Sequence, residues 1–127
     1  MITLTLPWPD PKLSPNRGNR YGKMTEVKVA RKLAWAFALK EIAANPVYVS
    51  AKMPLCVRFQ FYPPDRIRRD LDNLIGSCKA YQDGIFDALG INDHKPSRIE
   101  ADRCGVFPGG KVIIMNDVHS DGKEMEF

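Results

Sequence analysis

One eight-residue segment, Leu55 to Tyr62, limits the folds open to this chain more than any other. Its Leu, Val, Phe and Phe side chains alternate with Cys, Arg, Gln and Tyr. This alternation predicts a β-strand with one buried face. Pro63-Pro64 ends the strand, because proline cannot continue a strand ladder. The chain therefore needs a sheet, and other segments must supply the remaining strands and the layer that covers its apolar face.

Three further segments predict strands and two predict helices. Residues 2–6 alternate in the same way, and residues 97–107 and 111–117 are predicted to pair as a hairpin through Pro108-Gly109-Gly110. One helix is expected from Thr25 to Ala44, with apolar lines at Val29/Leu33/Phe37 and at Ala34/Ala38/Ile42. Trp35, in this first helix, is expected in the core or at a dimer contact. The second helix is expected from Asp70 or Asp72 to about Leu89.

The order of these elements predicts a single α+β domain over residues 1–117. It reads β-α-β-α-β-β, with helices packed on a mixed sheet, and residues 118–127 are expected to form a flexible tail.

Composition excludes several classes of protein. The longest apolar-leaning run is interrupted by Lys40 and Glu41, so we expect no membrane span, and the N-terminus does not have the layout of a signal peptide. The three cysteines are widely spaced and form no CxxC pair, which argues against a zinc site and a disulfide scaffold. These features predict reduced, buried or half-buried thiols in a cytoplasmic protein.

Charge is distributed unevenly along the chain. Residues 1–69 hold 13 Lys and Arg against 4 Asp and Glu, whereas residues 70–127 hold 6 against 11, giving net charges of +9 and −5. The basic half suits a polyanion such as nucleic acid, although two solvated surfaces of opposite sign would give the same counts. Clustered carboxylates in the acidic half repel one another unless a cation is present.

The densest chemical signal is the segment Arg66-Ile67-Arg68-Arg69-Asp70-Leu71-Asp72-Asn73. Phosphodiester hydrolysis needs an activated water and stabilised phosphoryl charge, and Mg²⁺ with carboxylate ligands supplies both. The arginines directly upstream can bind phosphates bidentately. An isolated Asp-x-Asp more often serves as a helix N-cap followed by a first-turn acid, so that interpretation stays open.

Lys79 and Asp83 are predicted to share a helix face with Asp72. An exposed ion pair between Lys79 and Asp83 is the alternative. Asp87 is expected to be a surface or structural residue, and Asp93 considered alone is a turn residue.

Residues 7–24 are expected to form a long first loop, which carries a second group of basic residues: Lys12, Arg17, Arg20 and Lys23. With Tyr21 nearby, the loop is interpreted as a phosphate-binding arm with an aromatic ring available for stacking. A solubilising surface loop is the alternative.

Several motifs together resemble the RusA-type Holliday junction resolvases of bacteria and their prophages. They are Leu6-Pro7-Trp8-Pro9, Leu13-Ser14-Pro15-Asn16, Pro64-Asp65-Arg66 running into Arg69-Asp70-Leu71-Asp72-Asn73, and then Lys79, Asp83, Asp87-Ala88-Leu89 and Asp93. The resemblance covers most of the chain. It implies a homodimer that cuts opposed strands of four-way DNA junctions with Mg²⁺ or Mn²⁺.

The same resemblance implies roles for individual residues. Asp70, Asp72 and Asp93 match the metal-binding acids, and Lys79 matches the essential lysine. Arg66, Arg68 and Arg69 would position the DNA backbone, and Asn73 would bond an aspartate or the ligand. Asn92 stands where some members have a second aspartate, and Ile67 interrupts a run that is fully basic in some relatives.

Three other functions stay open at this point. A non-catalytic DNA-binding protein would keep the fold but lose an acid, and all the candidate acids are present. An enzyme acting on a small phosphorylated substrate would leave the basic half unexplained. A purely structural protein would leave the Asp-x-Asp-Asn segment unexplained.

Overall fold

The computed structural model describes residues 1–15, 20–46, 54–91 and 96–118, with the side chains of 20–22 and 118 outside that description. The elements are β1 Ile2–Pro7, a 3₁₀ turn Pro11–Leu13, α1 Arg20–Ala44, β2 Leu55–Tyr62, α2 Leu71–Ser77, α3 Lys79–Leu89, β3 Arg98–Arg103 and β4 Lys111–Val118. In the described part of the chain, none of the helices has the length and apolar content needed to cross a membrane.

The described strands form one mixed sheet in the order β1-β4-β2-β3. β4 pairs antiparallel with both β1 and β2, and β3 lies parallel to β2. Alternate side chains of three strands are buried on one face: Ile2, Leu4, Leu6, Leu55, Val57, Phe59, Phe61, Val112 and Ile114. Helices α1 and α3 contribute to the same core, so the predicted α+β fold with helices on a mixed sheet is confirmed.

The predicted hairpin between the last two strands is wrong. β3 and β4 both pair with β2, which lies between them. After β3, the Cys104 amide donates to the Phe61 carbonyl oxygen at 2.7 Å, and the Phe107 amide donates to the Pro63 carbonyl oxygen at 2.9 Å. The chain thus follows β2 past its end and crosses to its other edge. Both edges of this buried strand need hydrogen-bond partners, and β3 and β4 supply one each.

β4 also extends one residue beyond the predicted strand, to Val118. The rest of the predicted tail, residues 119–127, lies outside the described residues.

Helix α1 buries its small side chains and exposes larger ones. Ala34 and Ala38 are fully buried, whereas the side chains of Val29 and Phe37 are 58% and 40% exposed. The alanine line was predicted correctly. In the Val29/Leu33/Phe37 line, Leu33 is partly buried against the core, but Val29 and Phe37 are not buried. The reason is Gly84 on α3, where an added Cβ would overlap the Arg31 carbonyl oxygen and lie 2.9 Å from the Trp35 amide nitrogen. Two backbones this close leave room only for alanine between them.

An ion pair lies beside this contact. The Arg31 guanidinium donates two hydrogen bonds to the Asp87 carboxylate, at 2.6 and 2.8 Å. The hydrogen bond from Arg31 holds the pKa of Asp87 below its ordinary value. Asp87 is therefore a structural residue that joins α1 to α3, as one of the sequence interpretations held.

The predicted second helix is divided at Cys78. This residue is fully buried and adopts φ −96° and ψ 4°, a conformation that ends α2 and precedes α3. Burial raises the pKa of the Cys78 thiol, which makes it an unreactive core side chain. The other two cysteines, Cys56 and Cys104, are free and half-buried, as predicted.

Two polar contacts fix α3 on the sheet. The Tyr81 hydroxyl donates to the Pro7 carbonyl oxygen at 2.9 Å, and burial raises the pKa of Tyr81 to about 12, so the donor stays protonated at neutral pH. The amides of Gln82 and Asn116 are buried and bond each other reciprocally, at 2.6 and 3.2 Å. These contacts join α3 to the end of β1 and to the core face of β4 near its C-terminal end.

The closeness of α1 and α3 can be tested by adding one methyl group. We expect Gly84→Ala to lower the free energy of unfolding by about 1–3 kcal/mol, because backbone atoms of α1 must move even though alanine is the better helix former. Urea unfolding measures the change. Gly105→Ala is the matched control, since an added Cβ there meets nothing within 4 Å. Equal stability of the two variants would contradict the close packing.

Candidate metal and nucleic-acid site

The loop between β2 and α2 is held in one shape by its own side chains. The Asp65 carboxylate accepts a hydrogen bond from the Ile67 amide at 3.0 Å and pairs with the Arg69 guanidinium at 2.9 Å. Arg69 also donates to the Ile67 carbonyl oxygen at 3.1 Å. Its own carbonyl oxygen accepts from Arg103, on β3, at 3.1 Å. We call residues 65–69 the basic loop.

Trp8 supports the basic loop from the end of β1. The Arg69 guanidinium carbon lies 5.4 Å from the centre of the Trp8 ring, within the range of a cation–π interaction. The other side of the indole contacts the core, where it meets the Phe61 ring edge-on at 6.1 Å between centroids. The Trp8 side chain thus joins the core to the loop, a role that the Leu-Pro-Trp-Pro motif alone did not indicate.

The three arginines of the basic loop are not equivalent, although the resemblance implied that all three position the DNA backbone. Arg69 is engaged by Asp65, the Ile67 carbonyl and Trp8. Arg66 and Arg68 are exposed, and within the described residues neither forms a hydrogen bond or ion pair. Arg69 therefore shapes the loop, while Arg66 and Arg68 expose their positive charge to solvent.

Asp70 stands at the N-cap position of α2 but does not cap it. Its backbone is extended, at φ −75° and ψ 135°, and its side chain makes no capping hydrogen bond. The alternative interpretation is therefore right about position, since Asp70 occupies the N-cap and Asp72 the first turn of α2, but the capping hydrogen bond itself is not made. Asp72 lies in the first turn of α2, where one of its oxygens accepts from the Asn73 amide at 3.1 Å. Both carboxylates are exposed.

A cleft of about 560 Å³ lies between the first loop and the basic loop. Arg68, Arg69, Asp70 and Asn73 line one side, and Trp8 and Asp10 belong to the other. Asp10 was not singled out from the sequence. Its carboxylate accepts from the Lys12 amide at 2.8 Å, which orders the 3₁₀ turn at the edge of the cleft. The cleft thus combines an uncapped carboxylate with guanidinium groups and an indole ring.

Lys79 lies on α3, beyond the break at Cys78. Its ammonium is 3.3 Å from the Asp83 carboxylate, and the two side chains are 78% and 29% exposed. The alternative of an exposed ion pair therefore describes this contact. Because the helix is divided, the single-helix spacing predicted for Asp72, Lys79 and Asp83 does not apply, and Lys79 does not line the cleft.

Gly76 contacts the first loop. A Cβ at this position would lie 2.6 Å from the Cγ of Pro15, so the missing side chain makes room for Pro15. Lys23 was predicted in the first loop but lies on α1, which begins at Arg20, and its ammonium donates to the Ser14 carbonyl oxygen of that loop at 3.2 Å. Lys12 is exposed. The loop is thereby fastened to both α1 and α2. Arg17 and the Arg20 side chain lie outside the described residues.

The donors fit a hard divalent cation in part. Asp70 and Asp72 offer exposed carboxylate oxygens, and Mg²⁺ in proteins commonly takes one or two carboxylates and completes its shell with water. Among the residues that the structure describes, no group of three or more His, Cys, Asp and Glu side chains is arranged to hold a metal ion. Asp93, the third predicted ligand, lies outside them, so the three-aspartate set stays a prediction.

Comparison with known proteins gives two kinds of relative. An uncharacterised protein of Xylella fastidiosa is 38% identical over 115 residues, which are 90% of this chain and 74% of that protein. The crossover junction endodeoxyribonucleases RusA of Escherichia coli K12 and Shigella sonnei are each 35% identical over 88 residues, or 68% of this chain. The match spans 65% of the length of these RusA proteins. No protein-family model matches the chain.

The contacts that Arg69 makes with Asp65, the Ile67 carbonyl and Trp8 predict that a lysine at this position would destabilise the protein. Arg69→Lys keeps the charge but loses the planar donor fork and the stacking on Trp8, so we expect a loss of about 1–2 kcal/mol in the free energy of unfolding. Arg68→Lys, one residue away and exposed, should change it by less than about 0.5 kcal/mol. Urea unfolding followed by tryptophan fluorescence compares them. Indistinguishable midpoints would mean that Arg69 does not hold the loop.

Proposed function

We propose that this chain is a RusA-type, divalent-metal-dependent endonuclease that resolves four-way DNA junctions. One observation carries the proposal: the uncapped Asp70 carboxylate lies in a cleft together with Arg68 and Arg69, in a chain similar to the RusA endodeoxyribonucleases. A carboxylate beside guanidinium groups suits a metal ion and a phosphodiester held next to each other. The similarity alone does not establish the activity, because the match spans only 65% of the RusA proteins.

In this proposal Asp70, Asp72 and Asp93 hold Mg²⁺, with Mn²⁺ as a substitute. The bound ion would supply an activated water and stabilise charge on the phosphoryl oxygens. Lys79 lies outside the cleft lining and pairs with Asp83 at 3.3 Å, so in this proposal its exposed side chain leaves that ion pair to donate a hydrogen bond to the attacked phosphate. Asn73 lines the same cleft and orients an aspartate or a phosphate oxygen.

The remaining basic residues bind the DNA backbone. Arg66 and Arg68 are exposed, Arg68 lines the cleft, and each guanidinium can bind a phosphate in a bidentate manner. In this proposal Lys12, Arg17, Arg20 and Lys23 also bind DNA phosphates, and of these Arg17 and the Arg20 side chain lie outside the described residues. Two copies of the chain, acting as a homodimer, would cut opposed strands of one junction.

The proposed metal ligands can be tested by removing one charge at a time. The wild-type protein should introduce paired nicks into a labelled four-way junction with Mg²⁺ and none with EDTA. Asp70→Asn and Asp72→Asn should each lower the cleavage rate at least about 100-fold, because the loss of a ligand forfeits several kcal/mol of charge stabilisation. Gel electrophoresis of the end-labelled strands measures both rates.

Asp117→Asn is the matched control for these variants. Asp117 is exposed on β4 and pairs in register with Cys56, at the opposite end of β2 from the basic loop. It should cleave at the wild-type rate. Junction binding without cleavage by the wild-type protein in both Mg²⁺ and Mn²⁺ would overturn the catalytic proposal in favour of a non-catalytic DNA-binding protein. No DNA binding would overturn it altogether.

The role of the exposed arginines predicts a specific salt dependence. Each phosphate contact contributes about 0.9 to the slope of log K against log salt concentration on duplex DNA, so Arg66→Ala and Arg68→Ala should each reduce the slope by about that amount. Arg98→Ala is the control, because Arg98 pairs in register with Cys56, far from the basic loop. Fluorescence anisotropy on a labelled junction measures the slopes. Unchanged slopes would exclude these two contacts.

A further inference from the structure

Ile67 is an apolar side chain presented to solvent in the middle of the basic loop. It is 69% exposed, more than any other large hydrophobic side chain among the described residues, and exposed arginines precede and follow it. A single exposed apolar residue is common on protein surfaces. What distinguishes Ile67 is the backbone that holds it and the shape of the surface around it.

The backbone of Ile67 is held on both sides. Its amide donates to the Asp65 carboxylate at 3.0 Å, and its carbonyl oxygen accepts from the Arg69 guanidinium at 3.1 Å. Asp65 and Arg69 also pair with each other, at 2.9 Å, and Arg69 lies over the Trp8 ring. The side chain therefore projects from a fixed point, so little conformational entropy is lost when a ligand contacts it.

Ile67 also stands between two concave surfaces. The cleft of about 560 Å³ that contains Asp70 and Trp8 lies on one side. A second cleft of about 380 Å³, lined in part by Arg103 and Val106, lies on the other. Ile67, Arg68 and Arg69 line both clefts, so they form a ridge between them. A ridge with an apolar tip and a cleft on each side is the complement of two nucleotide strands that diverge.

We propose that Ile67 is a wedge that inserts between bases at the branch point of a DNA junction. This inference rests on the proposed function and specifies how the same site selects its substrate. Apolar side chains inserted at a base step partly unstack it, and the cost is offset by contacts that the opened DNA makes. Arg66 and Arg68 bind phosphates beside the inserted side chain, which leads one strand towards Asp70. A continuous duplex offers no weakened base step, so Ile67 adds affinity for junctions only.

The test compares Ile67→Ser, Ile67→Arg and Ile99→Ser with the wild-type protein, in EDTA so that no strand is cut. Ile99 is the matched control, an exposed isoleucine on the edge strand β3. One junction carries 2-aminopurine at the branch point, and a second carries it well within an arm. Gel shift measures affinity for the junction and for a linear duplex, and 2-aminopurine fluorescence reports unstacking.

We expect fluorescence at the branch point, but not in the arm, to rise when the wild-type protein or Ile99→Ser binds. Ile67→Ser should lose that rise and bind the junction about tenfold more weakly, because the burial of one isoleucine is lost, with duplex affinity changed less than about twofold. Ile67→Arg should bind both DNAs at least as tightly as Ile67→Ser yet also lose the rise, which separates apolar insertion from charge.

Two results would overturn the wedge without touching the nuclease proposal. One is junction binding by the wild-type protein with no rise in fluorescence at the branch point. The other is a rise that Ile67→Ser retains in full. Failure of the wild-type protein to bind any DNA would instead overturn the proposed function, and the wedge with it.

Discussion

Between α1 and α3 there is no room for a Cβ atom at Gly84, because the Arg31 carbonyl oxygen occupies that space. Only alanines fit along the facing side of α1, so both helices pack as one thin layer on the sheet. With α3 packed this close to the sheet, the Tyr81 hydroxyl donates to the Pro7 carbonyl oxygen at the end of β1. The next residue is Trp8, whose ring supports Arg69. The shape of the basic loop thus depends, through a short series of contacts, on the closeness of two helices.

The basic loop also solves an electrostatic problem. Three arginines within four residues repel one another, which would favour an open and variable loop. Asp65 removes much of this repulsion by pairing with Arg69, and the same contact fixes the backbone of Ile67. Two guanidinium groups then remain available without disordering the segment. Arg69 thus holds the backbone of the loop, and Arg66 and Arg68 keep exposed guanidinium groups that could bind an anion.

Local pattern predicted much of this structure, and tertiary contacts decided the rest. The alternation in Leu55–Tyr62 and the alanine line of α1 were read correctly, because burial follows directly from side-chain period. The predicted hairpin was wrong because proximity in the sequence does not reveal that β3 and β4 pair with opposite edges of β2. The different role of Arg69 depends on Asp65 and on Trp8, which is 61 positions away in the chain, so spacing could not indicate it. The predictions for Asp93, Arg17 and the Arg20 side chain fall outside the described residues.

The reciprocal bonds between Gln82 and Asn116 bear on how the domain opens. Each buried amide is satisfied by the other, one from the helical layer and one from the sheet. Any motion that lifts α3 away from β4 leaves both amides without hydrogen-bond partners until water enters. A buried amide without a partner costs free energy. The two layers are therefore coupled as one cooperative unit, and partial opening is confined to segments that do not cross this pair. The helical layer and the sheet beneath the basic loop therefore stay closed when segments outside this pair move.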